Sequence, residues 1–131
     1  MSYRLLKGES EVLGKDKFIS PLTKKTECVA FIQQVTSAPS TTLWIPGKKV
    51  KDAKPGEILR GTVIATFDSK KKYPSDQLGK HAAIYLSHNN ESITVLDQWA
   101  DQGEVKQRYI HFNRPKGTRR SNDGDTFFVV E

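Results

Sequence analysis

The chain carries a single cysteine, Cys28, and three histidines, His81, His88 and His111. A thiol and an imidazole brought together make a nucleophile and its base: the ring takes the thiol proton, and the thiolate attacks a carbonyl carbon. A carboxylate completes such a site by holding the ring in one tautomer and stabilising its protonated form. Cys28 lies in Thr26-Glu27-Cys28-Val29-Ala30-Phe31-Ile32-Gln33-Gln34, which reads as the first turns of a helix. Thr26 is expected as its N-cap, with the hydroxyl accepting from a free backbone N–H. Cys28, Phe31, Ile32 and Val35 recur at helical spacing and form one apolar stripe. A cysteine in a first turn stands beside unpaired N–H groups and the positive end of the helix dipole, and both favour thiolate over thiol. The competing reading is a small buried residue in an ordinary core helix.

The elements that must bring a base to this cysteine lie further along. His81-Ala82-Ala83-Ile84-Tyr85-Leu86 reads as a strand with His81, Ala83 and Tyr85 on one face and Ala82, Ile84 and Leu86 on the other. The two alanines leave room for a neighbouring element beside His81. Ser87 to Glu91 is a hairpin connection, and Ile93-Thr94-Val95-Leu96 is the antiparallel partner running into Asp97-Gln98-Trp99. In that hairpin the start of one strand faces the end of the next, which brings Asp97 near His81. Asp101 and Gln98 compete with Asp97 for the orienting role; Gln98 alternates to the opposite face. His88 falls in the turn and is expected to be solvated. His111, on a later strand, is the competing base. The oxyanion of the reaction is expected to meet the Cys28 N–H and one donor from the preceding loop.

Met1 to Pro21 is a polar arm with a weak apolar cluster, Val12-Leu13 and Phe18-Ile19. The helix ends near Val35 or Thr36, where Ser37-Ala38-Pro39-Ser40 is loop chemistry. Ile45-Pro46-Gly47 is a turn signal, and Lys48 to Arg60 a basic connector. Gly61 to Phe67 is β-branched and fits a strand. Asp68 to Gly79 is a polar loop with three lysines. Val105 to Phe112 and Thr126 to Val130 supply the last strands. This order, helix first and then about five strands, argues an α+β fold with the helix packed on an antiparallel, partly curled sheet. No repeat or linker divides the chain, so residues 1–131 are expected to form one domain, with 1–21 as its arm.

At 131 residues the chain is long enough to bury a real core. Nothing approaches the roughly 20 consecutive apolar residues of a membrane span, and no apolar region follows the basic start, so a cytoplasmic product without a signal peptide is expected. One cysteine excludes an internal disulfide and a cysteine-based zinc site, and the chemistry proposed needs no metal or cofactor. The formal net charge of +6 is spread over turns. No stretch interleaves basic and aromatic residues as a single-strand nucleic-acid platform does, and a solvated basic surface is the simpler reading.

Four segments together resemble a known superfamily: Glu27-Cys28-Val29-Ala30 opening a helix, Gly61-Thr62-Val63-Ile64-Ala65-Thr66-Phe67, His81-Ala82-Ala83-Ile84-Tyr85-Leu86, and Val95-Leu96-Asp97-Gln98-Trp99. The chain resembles the NlpC-like and CHAP-like amidases, compact papain-like cysteine hydrolases of peptidoglycan peptides, over residues 26 to 112. Its small form without a signal further resembles the amidase effectors delivered by type VI secretion into a rival's periplasm and restrained by an immunity protein. The resemblance implies Cys28 as nucleophile, His81 as base and Asp97 as third member. It implies a peptidoglycan peptide as substrate and an immunity protein as inhibitor. Trp44, Tyr73, Gln98 and Trp99 are then candidates to line the substrate groove, with core packing the alternative for the aromatics. The basic loops would concentrate an anionic wall polymer.

Two other functions stay open on the sequence. One is a non-catalytic binding module with a basic surface, which would lose affinity steeply with salt if its partner were nucleic acid. The other is a deamidase or transglutaminase-like enzyme acting on protein glutamine, which would release ammonia rather than new peptide termini.

Overall fold

The computed structural model describes residues 1–131. Two α-helices, α1 (Glu9–Val12) and α2 (Cys28–Val35), precede a sheet of six strands: β1 (Pro46–Lys49), β2 (Val63–Thr66), β3 (Ala82–His88), β4 (Ser92–Asp97), β5 (Lys106–His111) and β6 (Phe127–Val130). The spatial order is β1-β6-β2-β3-β4-β5, and every pairing is antiparallel. Strands β2 to β5 form a meander. The last strand returns to lie between β1 and β2.

Six strands stand where about five were expected. The addition is Pro46–Lys49, whose Pro-Gly start reads as a turn. It is an edge strand, where a proline's missing N–H costs no ladder bond. Beside it, Ile45 and Glu131 exchange two backbone hydrogen bonds of 2.8 Å each.

The alternation expected in β3 divides the interior between the two faces of the sheet. Ala82, Ile84 and Leu86 join Phe31, Ile32 and Val35 of α2 in one apolar cluster. Ala83 and Tyr85 join Val50, Ile58, Ile110 and Phe112 in another on the opposite face. Burial of Phe31, Ile32 and Val35 stabilises by about 1.5–3 kcal/mol each and holds α2 on the sheet. The arm is laid on the domain: Val12 and Phe18 are buried in the helix-side cluster, while Leu13 and Ile19 are exposed. Backbone bonds from Leu5 to Gly61 and from Leu6 to Val35 fasten its start.

Helix α2 ends where loop chemistry begins, with Thr36 as C-cap. Its start differs from expectation by one residue. Glu27 is the N-cap and makes no side-chain capping bond. The Thr26 hydroxyl instead donates to the carbonyls of Trp99 and Ala100, at 3.1 and 3.5 Å. It ties the helix start to the chain just beyond β4, and those long-range carbonyls take the hydroxyl in place of the expected local N–H donor.

Candidate active site

Cys28 is the first residue of α2, half-buried. A first-turn N–H has no acceptor one turn back, so the Cys28 N–H is free of the helix ladder. The sulfur is approached by the His81 ring, the backbone N–H of Ala82 and the hydroxyl of Tyr73, the last in hydrogen-bond contact at 3.7 Å. The Ala82 N–H can reach sulfur because nothing larger than a methyl group stands there. The two expected alanines thus do bring α2 up to the start of β3.

His81 lies one residue before β3 and is 3 % exposed. Its backbone is locked to the neighbouring strand: Thr66 N–H donates to the His81 carbonyl at 3.0 Å, and His81 N–H donates to Thr66 Oγ1 at 3.1 Å. Its Nε2 meets Asp97 Oδ2 at 2.6 Å, which leaves Nδ1 for the sulfur. Ile84 pairs with Leu96 in the β3–β4 register. Continued to the strand ends, that register sets Asp97 diagonal to His81 on the same face, within side-chain reach. The expected nearness of His81 and Asp97 in the hairpin is thus what the structure has.

Asp97 is fully buried, and Arg108 of β5 donates through Nε to the same Oδ2 at 2.7 Å. The other oxygen, Oδ1, is buried without a partner. All the carboxylate's hydrogen bonding is thus concentrated on the oxygen facing His81. Arg108 covers the Trp99 ring, its guanidinium 4.7 Å from the ring centroid, and Trp99 stands edge-on to His81. Sequence reading missed Arg108. The signal lies in the β4–β5 pairing: Asp97 opposes Lys106, so Arg108 shares the Asp97 face two residues on.

These contacts set the charges. Burial pushes the Cys28 thiol up, but the His81 hydrogen bond and charge, the Ala82 N–H and the Tyr73 hydroxyl outweigh it, and the thiol lies below its ordinary range. Burial pulls the His81 imidazolium down, yet its bonds to Asp97 and Cys28, with their negative charge, raise it to about 9. Both shifts favour a thiolate–imidazolium pair over the neutral thiol and imidazole. Burial, followed by the neighbouring thiolate, holds Tyr73 well above the ordinary phenol range, so its hydroxyl stays a donor.

The candidate groove residues take three different places. Tyr73 lines a cleft of about 1000 Å³ with Cys28, Glu27, Gln33, Lys72 and Lys80. Trp44 does not reach that cleft: it is 2 % exposed, donates from Nε1 to the Pro39 carbonyl and packs edge-on behind Tyr73. Gln98 is fully buried, and its amide nitrogen donates to the carbonyls of Phe18 and Glu27 at 2.7 and 2.8 Å. It approaches the site from behind, by clamping the residue just before Cys28. Trp99 is partly exposed, on the Asp97 side of His81. The competing base His111 is exposed at the far end of β5, opposite Ser92, remote from Asp97. His88 is not the solvated turn residue expected, because β3 runs through it.

Against known proteins, the family described as domesticated amidase effector 2 matches residues 9–130. The chain belongs to that family. It is 36 % identical over 115 residues to the type VI secretion amidase effector 2 protein of Salmonella typhi, spanning 80 % of this chain and 84 % of that one. It is 33 % identical over 111 residues to domesticated amidase effector 2 of Ixodes scapularis, spanning 82 % and 72 %. Among solved structures, type 6 secretion amidase effector 2 superposes with a TM-score of 0.78 at 31 % identity, over 97 % of this chain and 93 % of that one. The α+β arrangement, with a cysteine-bearing helix ahead of an antiparallel sheet, is papain-like, as the four sequence segments implied.

Proposed function

We propose that this protein is a cysteine amidase that cleaves peptide amide bonds of peptidoglycan through an acyl-enzyme, with Cys28 as nucleophile, His81 as acid and base, and Asp97 as the group that orients His81. The observation that carries this reading is the series in which the Cys28 sulfur faces the His81 ring and that ring is hydrogen-bonded to Asp97, opening on the cleft at its sulfur end. The Cys28 thiolate attacks the scissile carbonyl carbon, and the C–S bond forms as the carbonyl π pair moves to oxygen. As the intermediate collapses, the C–N bond breaks and the leaving nitrogen takes the proton held by His81. Neutral His81 then draws a proton from water, and hydroxide displaces the thiolate from the acyl carbon. Asp97 offsets the charge on the ring throughout.

Membership in an amidase effector family supports the bond class, the type VI secretion names of two relatives support delivery by that route, and the peptidoglycan target follows from the resemblance to the wall-peptide amidases. Lys72 and Lys80 on the cleft wall suit an acidic stem peptide. An immunity protein that seals the cleft is the inhibitor this reading calls for.

The test is digestion of purified sacculi. The parent is expected to release soluble fragments with new amino and carboxyl termini and no ammonia, and Cys28→Ala to release none while keeping the parent's thermal melt. Fragment release by Cys28→Ala would overturn the proposal.

A further inference from the structure

Tyr73 touches the sulfur, yet the steps above make no use of it. Its hydroxyl stands 3.7 Å from Cys28 Sγ, and that sulfur is its one protein hydrogen-bond partner. A contact of that length is loose, and the phenol belongs to the cleft wall along which a scissile carbonyl must approach.

The phenol is held in place from two sides. Its ring meets the buried Trp44 edge-on, with centroids 5.1 Å apart. The chain leading to it is folded around Asp68, whose Oδ1 accepts from the Lys70 and Lys72 N–H groups at 2.9 and 3.0 Å, while Asp68 N–H donates to the Lys72 carbonyl. Pro74, the next residue, is buried. A donor fixed in this way needs no reorganisation when charge appears beside it.

We infer that the Tyr73 hydroxyl is the second oxyanion donor, acting with the Cys28 N–H to hold the carbonyl oxygen of the substrate as it becomes negative. This rests on the amidase reading above. Before attack the negative charge is on sulfur, and the hydroxyl faces it. As the C–S bond forms, sulfur loses its charge and the carbonyl oxygen, one atom beyond the attacked carbon, gains it. The hydroxyl then has a stronger acceptor within reach than a thioether sulfur. Tyr73 keeps its proton throughout and shares it only as a hydrogen bond. On collapse the oxygen pair re-forms the C=O bond, the C–N pair leaves with nitrogen, and the hydroxyl returns to the sulfur's side once the thiolate is regenerated. A bond that is loose in the free enzyme and tight in the tetrahedral state is the kind that accelerates the reaction. The expected donor from the loop before Cys28 is thereby replaced by one from the loop after β2.

Tyr73→Phe removes only the hydroxyl, and two reactions of Cys28 then separate the roles. Hydrolysis of a purified cross-linked muropeptide passes through an oxyanion. Alkylation by iodoacetamide is a direct displacement at carbon and does not. Hydrolysis is expected to lose about 100-fold in kcat with KM close to the parent's, while the limiting alkylation rate at high pH stays near the parent's. That retained alkylation also reports a folded site. An unchanged kcat, or an equal fall in both reactions, would overturn the inference, the latter because Tyr73 would then serve the thiolate alone. Failure of the amidase reading looks different: the parent itself would release no new termini from the muropeptide, which overturns both.

Discussion

His81 immediately precedes β3 and His88 closes it, so one strand carries two imidazoles with both ring nitrogens engaged. At the His81 end the partners are a carboxylate and a thiol. At the His88 end they are the Tyr85 hydroxyl at 2.6 Å and the Ala53 carbonyl at 2.8 Å. A carbonyl can only accept, so His88 Nε2 is protonated and Nδ1 receives the Tyr85 proton in the neutral ring. Both partners of that ring are neutral groups. His81 sits between two groups that are stabilised by being negative, so protonating its ring is favourable. The same residue type thus meets two neutral partners at one end of the strand and, at the other, the carboxylate and thiol that the proposed mechanism needs. Neither the strand nor the burial decides this; the charge of the partners does.

The comparison breaks most sharply if each ring is removed in turn. His81→Ala is expected to lower kcat on sacculi by about 1000-fold or more, because the thiol loses its base and the leaving amine its acid. The effect should be confined to chemistry, with substrate binding retained in the Cys28→Ala, His81→Ala double variant. An activity within an order of magnitude of the parent's would remove His81 from the mechanism.

The next effect sharpens the electrostatic part. The thiolate–imidazolium pair exists between the low apparent pKa of the pair and the upper one, which for His81 is about 9. Activity should therefore plateau through neutral pH and fall on an alkaline limb near that value. Asp97→Asn removes the charge that raises His81, so the limb should move toward neutrality and kcat at pH 7 should fall by about 100-fold. The sign carries over to stability. Because the folded pKa lies above the ordinary 6.5, protonated His81 stabilises the fold fully below pH 6.5, and that contribution is lost as pH rises through about 9. A limb that stays in place in Asp97→Asn would show that the carboxylate does not set the ring's charge.

The smallest expected effect lies at the other end of the strand. His88→Ala should leave hydrolysis near the parent's rate and cost about 1–3 kcal/mol of stability by denaturant unfolding, since the Tyr85 hydroxyl and the Ala53 carbonyl lose their partner. A large loss of activity with normal stability would erase the contrast between the two histidines.

Much of the site was legible because its parts are local. Cys28 at a helix start, small residues after His81, and a short hairpin that returns Asp97 to His81 all follow from nearest-neighbour rules of helix and strand. What failed to show were contacts that cross from one element to another. Gln98 reads as a groove residue, yet it reaches through the interior to the carbonyls of Phe18 and Glu27. Thr26 reads as a cap, yet it serves the chain beyond β4.

By itself the sequence determined which residues could do chemistry and the order in which helix and strands present them, because residue type, side-chain period and turn composition act over a few positions. Only the tertiary structure decided how the site is held. Asp97 at the end of β4 and Gln98 just past it point to opposite faces, so Asp97 meets His81 while Gln98 clamps Glu27, the residue before Cys28. Arg108 arrives from β5 through strand register, and Tyr73 through a loop pinned against Trp44. Those placements depend on how separate elements dock, a collective outcome of packing two apolar clusters against one sheet, and no local pattern encodes it.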